Sequence, residues 1–149
     1  MVNTYSPFTG QFIFEVDGLE IGAFQQVSGL SVEVDVSEIK EGGQNEFIRR
    51  VPGRMKWPNL VLKRGVTTEN NLFEWFRKSS GEGFSGTDNQ LERRQAALAL
   101  VDAQRTVLRI WVFNDAFPVK WKGPEFAADS SSVATEELEV AHHGFWVDD

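Results

Sequence analysis

Glu38 to Gly65 reads EIKEGGQNEFIRRVPGRMKWPNLVLKRG. It holds a Gly-Gly pair, the basic residues Arg49, Arg50, Arg54 and Lys56 around Pro52-Gly53, and an apolar run ending in Lys-Arg-Gly. A charged stretch with so little apolar content, held between two strand-like segments, is poorly explained as core. It reads as a surface that meets something, and the rest of the chain reads as the scaffold that carries it.

On its N-terminal side, Leu30 to Ser37 alternates. Val32, Val34 and Val36 point one way; Ser31, Glu33, Asp35 and Ser37 point the other. A period of two predicts a strand, and its acidic face must meet water, as an ordinary solvent face or as the wall of a water-filled lumen. Further back, QFIFEVD (Gln11–Asp17) alternates as well, and Asp17-Gly18 is a hairpin turn signal before Leu19 to Phe24. Within the opening stretch, Glu46 to Val51 suits a short strand anchored by Phe47, Pro52-Gly53 a turn, and Asn59 to Lys63 a strand with Leu60 and Leu62 on one face.

On the C-terminal side a helix is predicted from about Thr68 to Ser79. Thr67 or Thr68 can cap it, and Glu69 suits its first turn. Leu72, Phe73, Trp75 and Phe76 form an apolar stripe, Arg77 and Lys78 suit its last turn, and Gly81 ends it. A helix this short must pack on a sheet to persist. Ser79 to Asn89 is Gly/Ser-rich and reads as a loop. Leu91 to Val101 suits helix or strand, with strand preferred because Asp102 to Gln104 turns into the β-rich Thr106 to Phe113. Lys120 to Gly123 reads as an irregular crossing before Pro124, and Asp129 to Ser132 as a polar turn. Thr135 to Ala141 is a last strand, with Leu138 and Val140 inward and Thr135, Glu137 and Glu139 outward. The expected architecture is a mainly β barrel or sandwich of seven or eight strands with one flanking helix.

The totals agree with one domain. A chain of 149 residues buries about 70% of its unfolded surface, enough for a core without staples. Cysteine is absent, which excludes disulfides, thiolate catalysis and Cys-type zinc sites. The 12 Phe and 5 Trp favour half-buried pleated surfaces. A net charge of −7 argues against nucleic-acid binding by a general basic surface. No apolar run approaches the ~18 residues of a membrane span, so no membrane anchor is expected, and MVNTYSPFTGQ is not read as a secretory signal.

Chemistry finds little footing. His142 and His143 are adjacent, so on a strand they point to opposite faces. With Asp148 and Asp149 they make at most a weak metal site, and the plainer reading is a solvated strand end. No nucleophile elbow, zinc-protease helix or phosphate loop is present. Glu33 and Asp35 share a strand face, whereas a glycosidase pair comes from separate strands across a cleft. No catalytic residue, cofactor or metal is assigned. A carbohydrate-binding β-sandwich is the alternative, with Trp111, Trp121 or Trp146 as its platform. For the basic cluster, a head-to-tail contact with an acidic face of another copy is the simpler reading.

Several spaced motifs carry a resemblance over nearly the whole chain. They are Phe14 to Phe24 (FEVDGLEIGAF), Val27 to Val34 (VSGLSVEV), Glu41 to Asn45 (EGGQN), Arg49 to Gly65 (RVPGRMKWPNLVLKRG after its first Arg), Asn114 to Pro124 (NDAFPVKWKGP) and Glu136 to Gly144 (EELEVAHHG). The chain resembles the tail-tube protein family of contractile phages, and more closely the inner-tube proteins of phage-like extracellular contractile injection systems. The resemblance implies six copies closing into a ring with a continuous barrel. Rings would stack into a rigid tube that a contracting sheath drives through a target envelope. It implies a single domain, 1–149, with an N-terminal arm (1–10) and an extended inter-ring loop (38–57). Gly42, Gly43, Arg49, Arg50, Pro52, Gly53 and Arg54 become the stacking candidates; Glu33, Asp35, Glu137 and Glu139 become candidates for the lumen wall. The implied partners are further copies, a sheath protein, baseplate or hub and tube-terminating proteins, and protein cargo in the lumen; nucleic acid enters only in a true phage tail. Assembly is implied in the bacterial cytoplasm, as part of a tail-like particle whose release from the cell is left open.

Overall fold

The computed structural model describes residues 10–39, 48–65, 71–79, 94–123 and 134–148. The expected hairpin is present: β1 (Gly10–Val16) pairs antiparallel with β2 (Leu19–Phe24). Asp17 and Gly18 both adopt positive φ, 50° and 81°, the backbone that joins two right-twisted strands in a two-residue turn. After β3 (Gln26–Ser28), β4 (Glu33–Ile39) and β5 (Arg49–Lys56) pair, among the described residues, only with each other. Then come β6 (Leu60–Gly65), α1 (Asn71–Lys78), β7 (Arg94–Asp102), β8 (Val107–Lys122), β9 (Thr135–Ala141) and β10 (Phe145–Asp148).

Eight strands form one sheet in the order β2-β1-β7-β8-β9-β6-β3, with β10 on β8. Its first and last strands are consecutive in the chain, and the Gln25 amide donates to the Lys63 carbonyl at 3.0 Å. The sheet therefore curls back on itself as a barrel-like sandwich. The expected strands at Leu91–Val101 and Thr135–Ala141 are present as β7 and β9. Lys120 to Lys122, expected as an irregular crossing, instead continue β8, which runs 16 residues. Its first half pairs with β7 and β10, its second with β9. Asp115, at φ 50°, lets the strand bend between the two. β3 and β10 escaped the sequence reading because three or four residues are too few to establish a period.

The core is filled by alternation. Phe14, Phe24, Phe113, Leu60, Leu62, Leu98 and Leu138 are fully buried, and α1 adds Leu72 and Trp75. Trp75 meets Phe14 with ring centroids 5.6 Å apart. Phe73, on the edge of the helical stripe, stays exposed but packs edge-on against Trp121 at 5.1 Å. The capping positions Thr67, Thr68 and Glu69, and Gly81, lie outside the described residues, as do the expected loop after Ser79 and the turn at Asp129–Ser132.

The alternation of β6 carries one consequence further than expected. After Leu60 and Leu62, the next inward side chain is Arg64. Its Nε donates to Glu136 Oε2 at 3.1 Å, and Trp121 Nε1 donates to Glu136 Oε1 at 2.7 Å. The guanidinium lies over Phe24, 5.4 Å from the ring centroid. This buried charge pair links β6 to β9 in the register where Arg64 and Glu136 are direct cross-strand partners. Among the described residues no helix is long and apolar enough to cross a membrane.

Candidate assembly interface

β4 and β5 form a two-stranded ribbon, with no third strand beside it among the described residues. Val34 faces Met55, Val36 faces Pro52 and Glu38 faces Arg50, so these share one side. Glu33 faces Lys56, Ser37 faces Val51 and Ile39 faces Arg49 on the other. The expected Pro52-Gly53 turn is not a turn. Between Val34 and Val36 the register shifts, and β5 carries one residue more than β4, so Pro52 and Gly53 lie within a bulged strand. Proline is tolerated there because an edge strand leaves its amide position without a ladder partner. The expected strand at Leu30–Ser37 is real but begins at Glu33, and it buries neither face: Val34 is 45% exposed, Val36 60% and Met55 51%.

A two-stranded ribbon of this kind is marginal alone, and it presents both unpaired edges and an apolar side to water. The stretch expected as a loop is thus a projecting ribbon with a side that calls for cover. Its ion pairs are solvent-exposed: Lys56 Nζ to Asp35 at 3.0 Å, and Arg50 Nε to Glu38 at 3.9 Å. Such pairs contribute about 0–1 kcal/mol each and do not explain a rigid projection. Gly42 and Gly43 lie outside the described residues. Arg49, Arg50, Pro52, Gly53 and Arg54 all lie on β5, and Glu33 and Asp35 on β4 across from it. Glu137 and Glu139 lie apart from them, on the outer face of β9, beside Lys63 (3.9 Å from Glu137) and Asn59 (3.4 Å from Glu139).

The ribbon joins the barrel at Trp57, Pro58 and Asn59, where a cluster from the chain's other end holds it. His142 is buried, contrary to the solvated strand end expected of the histidine pair. Its Nε2 lies 3.1 Å from the Pro58 carbonyl, and the Gly144 amide donates to its Nδ1 at 3.0 Å. Those two contacts fix the neutral tautomer with the proton on Nε2. Burial pushes its pKa below the ordinary 6.5, opposed by the hydrogen bond to the Pro58 carbonyl. The ring packs edge-on against Phe113 at 5.0 Å and Trp57 at 6.2 Å. Gly144, at φ 110°, brings its backbone against the Trp57 indole; a Cβ there would lie 3.1 Å from the ring. His143 points the other way, to Asp115 at 3.2 Å. Sequence reasoning missed this clamp. Its one local signal is the His-His-Gly run, where a glycine ends a strand that alternation would continue.

The family profile of the T4-like virus tail tube protein gp19 matches residues 9–146, through both the ribbon and its root. The chain belongs to that tail tube family. It is a structural tube subunit, and the exposed ribbon belongs to a protein built to assemble. No curated protein matches the chain. Among solved structures, a chain of the PVC sheath-tube complex, an extracellular contractile injection system in its extended state, is 26% identical over 97% of this chain and 93% of that one, with a TM-score of 0.76. A chain from the tube-terminating cap of the anti-feeding prophage is 25% identical over 99% and 95%, TM-score 0.76. Hcp1 from Flavobacterium johnsoniae, at 18% identity over 92% and 94% and a TM-score of 0.50, shares the fold.

Proposed function

We propose that six copies of this chain close into a ring, that rings stack into a hollow tube, and that the β4–β5 ribbon makes the contact between copies. The observation that carries this is a ribbon with an uncovered apolar side in a chain of the tail tube family. Arg49, Arg50, Pro52, Gly53 and Arg54 supply the contact from β5, with Gly42 and Gly43 in the same segment of the sequence. The polar faces bearing Glu33, Asp35, Glu137 and Glu139 turn to the lumen. Lys63, Lys120 and Lys122 share the face of Glu137 and Glu139, giving a wall of mixed charge that lets cargo pass without sticking to either sign. The tube has no catalytic role. It is assembled in the bacterial cytoplasm on a baseplate, enclosed by a sheath whose contraction drives it through a target envelope, and closed by a terminating protein. Similarity to chains from a sheath-tube complex and a tube cap supports these partners.

Negative-stain electron microscopy beside light scattering tests the reading. Six-fold rings, with a mass about six times the 16.8 kDa chain, are the expected result. A chain that stays monomeric at every concentration, and does not extend a preformed tube fragment of its own particle, refutes it.

A further inference from the structure

The barrel has an outer face that matches the ribbon. Glu15, Ala97, Val112 and Trp146 are cross-strand partners on β1, β7, β8 and β10, so their side chains stand in one row. The next row on that face is Ile13, Ala99, Ile110 and Asp148. Ala97, Val112 and a 43% exposed Trp146 form the apolar floor of a shallow groove of about 340 Å³, whose rim is polar, with Glu15, Asp17, Gln95 and Asp148; Ala99 and Ile110 continue the apolar row beside it. Glu15 closes one end and Asp148 the other. Neither carboxylate has a hydrogen bond or ion pair among the described residues; Asp17, also on the rim, is held by Arg94 at 3.5 Å.

The ribbon offers the complement. Its uncovered side is also two rows deep, Val34 with Met55 and Val36 with Pro52, and Arg50 stands at the end of that side, in a long, solvent-exposed pair with Glu38 at 3.9 Å that leaves the rest of its guanidinium for a second carboxylate. Arg54, at the bulge, is a cation without a partner among the described residues. In a chain of net charge −7, this is where the positive charge gathers. Opposed apolar stripes of equal depth, flanked on one side by unpaired carboxylates and on the other by guanidinium groups, give both burial and charge-assisted register. We infer that the ribbon of one copy lays its Val34–Met55 side into the Ala97–Val112–Trp146 groove of a second copy, with Arg50 and Arg54 meeting Glu15 and Asp148. The contact rests on the tube reading and names the surface that receives the ribbon. The two surfaces differ, so the contact is head to tail and propagates.

The absence of cysteine makes the test direct. Full-length V36C and A97C variants are mixed under mild oxidation, beside a control mixture of V36C with K120C, which places an exposed thiol on the other half of the barrel. A seated ribbon raises the effective concentration of the two thiols into the millimolar range, so the V36C–A97C disulfide should outpace the control on the order of a hundredfold at micromolar protein. Adding R54E to the V36C chain should slow it, and adding E15K to the A97C chain should restore it. Cross-linking no faster than the control overturns the inference, as does a rate indifferent to both charge changes. The readout is separate from tube formation. Tubes without the cross-link sink the groove and leave the tube standing, whereas the cross-link in a chain that never makes rings keeps the groove and sinks the tube.

Discussion

Arg64→Met should cost about 3–5 kcal/mol, the penalty for leaving one member of a buried ion pair alone. The structure sets that magnitude. Arg64 and Glu136 side chains are only 4% and 10% exposed, and they meet at 3.1 Å. Without the guanidinium, the Glu136 carboxylate keeps a single hydrogen bond, from the Trp121 indole. Glu136→Leu should cost a similar amount from the other side, since Arg64 would remain charged over Phe24 with no counter-ion among the described residues. Arg64 already carries an Nη2 with no hydrogen-bond partner among the described residues, so the pair is imperfectly satisfied as it stands. The double variant Arg64→Met, Glu136→Leu removes both charges and that orphan. It leaves the Trp121 N–H without an acceptor, a loss of about 1–3 kcal/mol. The double variant should therefore be more stable than either single, with a coupling of at least about 3 kcal/mol. Domains of this size have about 5–15 kcal/mol in total, and 1 kcal/mol moves the midpoint by about 2–4 °C, so each single variant should melt roughly 6–20 °C early. Urea unfolding followed by tryptophan fluorescence measures all four corners of the cycle. A single variant costing under about 1 kcal/mol, or a double costing the sum of its singles, would refute the reasoning.

Three further outcomes are expected. His142 binds a proton less readily folded than unfolded, so the unfolded chain takes up more protons; the stability it contributes is whole above pH 6.5 and falls as pH drops through and below that value. Urea midpoints from pH 8 to 5 should show that slope, and His142→Gln should flatten it; an equal slope in both chains rejects the role of the imidazole. Gly29→Ala should cost about 3 kcal/mol or more, because φ is 94° and the new Cβ would drive into the Asn59 carbonyl; a melting temperature within a few degrees of the parent contradicts it. Reversing Arg49 and Arg50 to Glu, both exposed, should leave the monomer folded but weaken the association of rings, most at low salt where the Debye length reaches ~30 Å. Sedimentation at two salt concentrations decides it, and undiminished tubes remove these arginines from the interface.

Much of the barrel could be read from periodicity. The hairpin at Asp17-Gly18, the inward Leu60 and Leu62, and the inward Leu138 and Val140 are set by alternation and one turn signal. The short helix is set by a stripe of Leu72, Trp75 and Phe76. The ribbon is where the local rules mislead. Pro52-Gly53 carries the chemistry of a turn, but the partner strand across from it absorbs the pair as a bulge. Val32, Val34 and Val36 carry the pattern of a core face, and pattern alone says that a face is apolar without saying which chain covers it.

The sequence by itself determined most of the barrel's longer strands, the faces those strands bury and the family, because side-chain alternation, turn residues and spaced motifs are properties of neighbours along the chain. Only the tertiary structure decided that β4 and β5 stand away from the sheet, that Arg64 finds Glu136 and Trp121, and that His142 clamps Trp57 and Pro58. Those facts depend on which distant segments meet: Arg64 and Glu136 are 72 residues apart, His142 and Pro58 are 84. Contacts at that separation come from how the sheet curls, and no local pattern of residues encodes the curl.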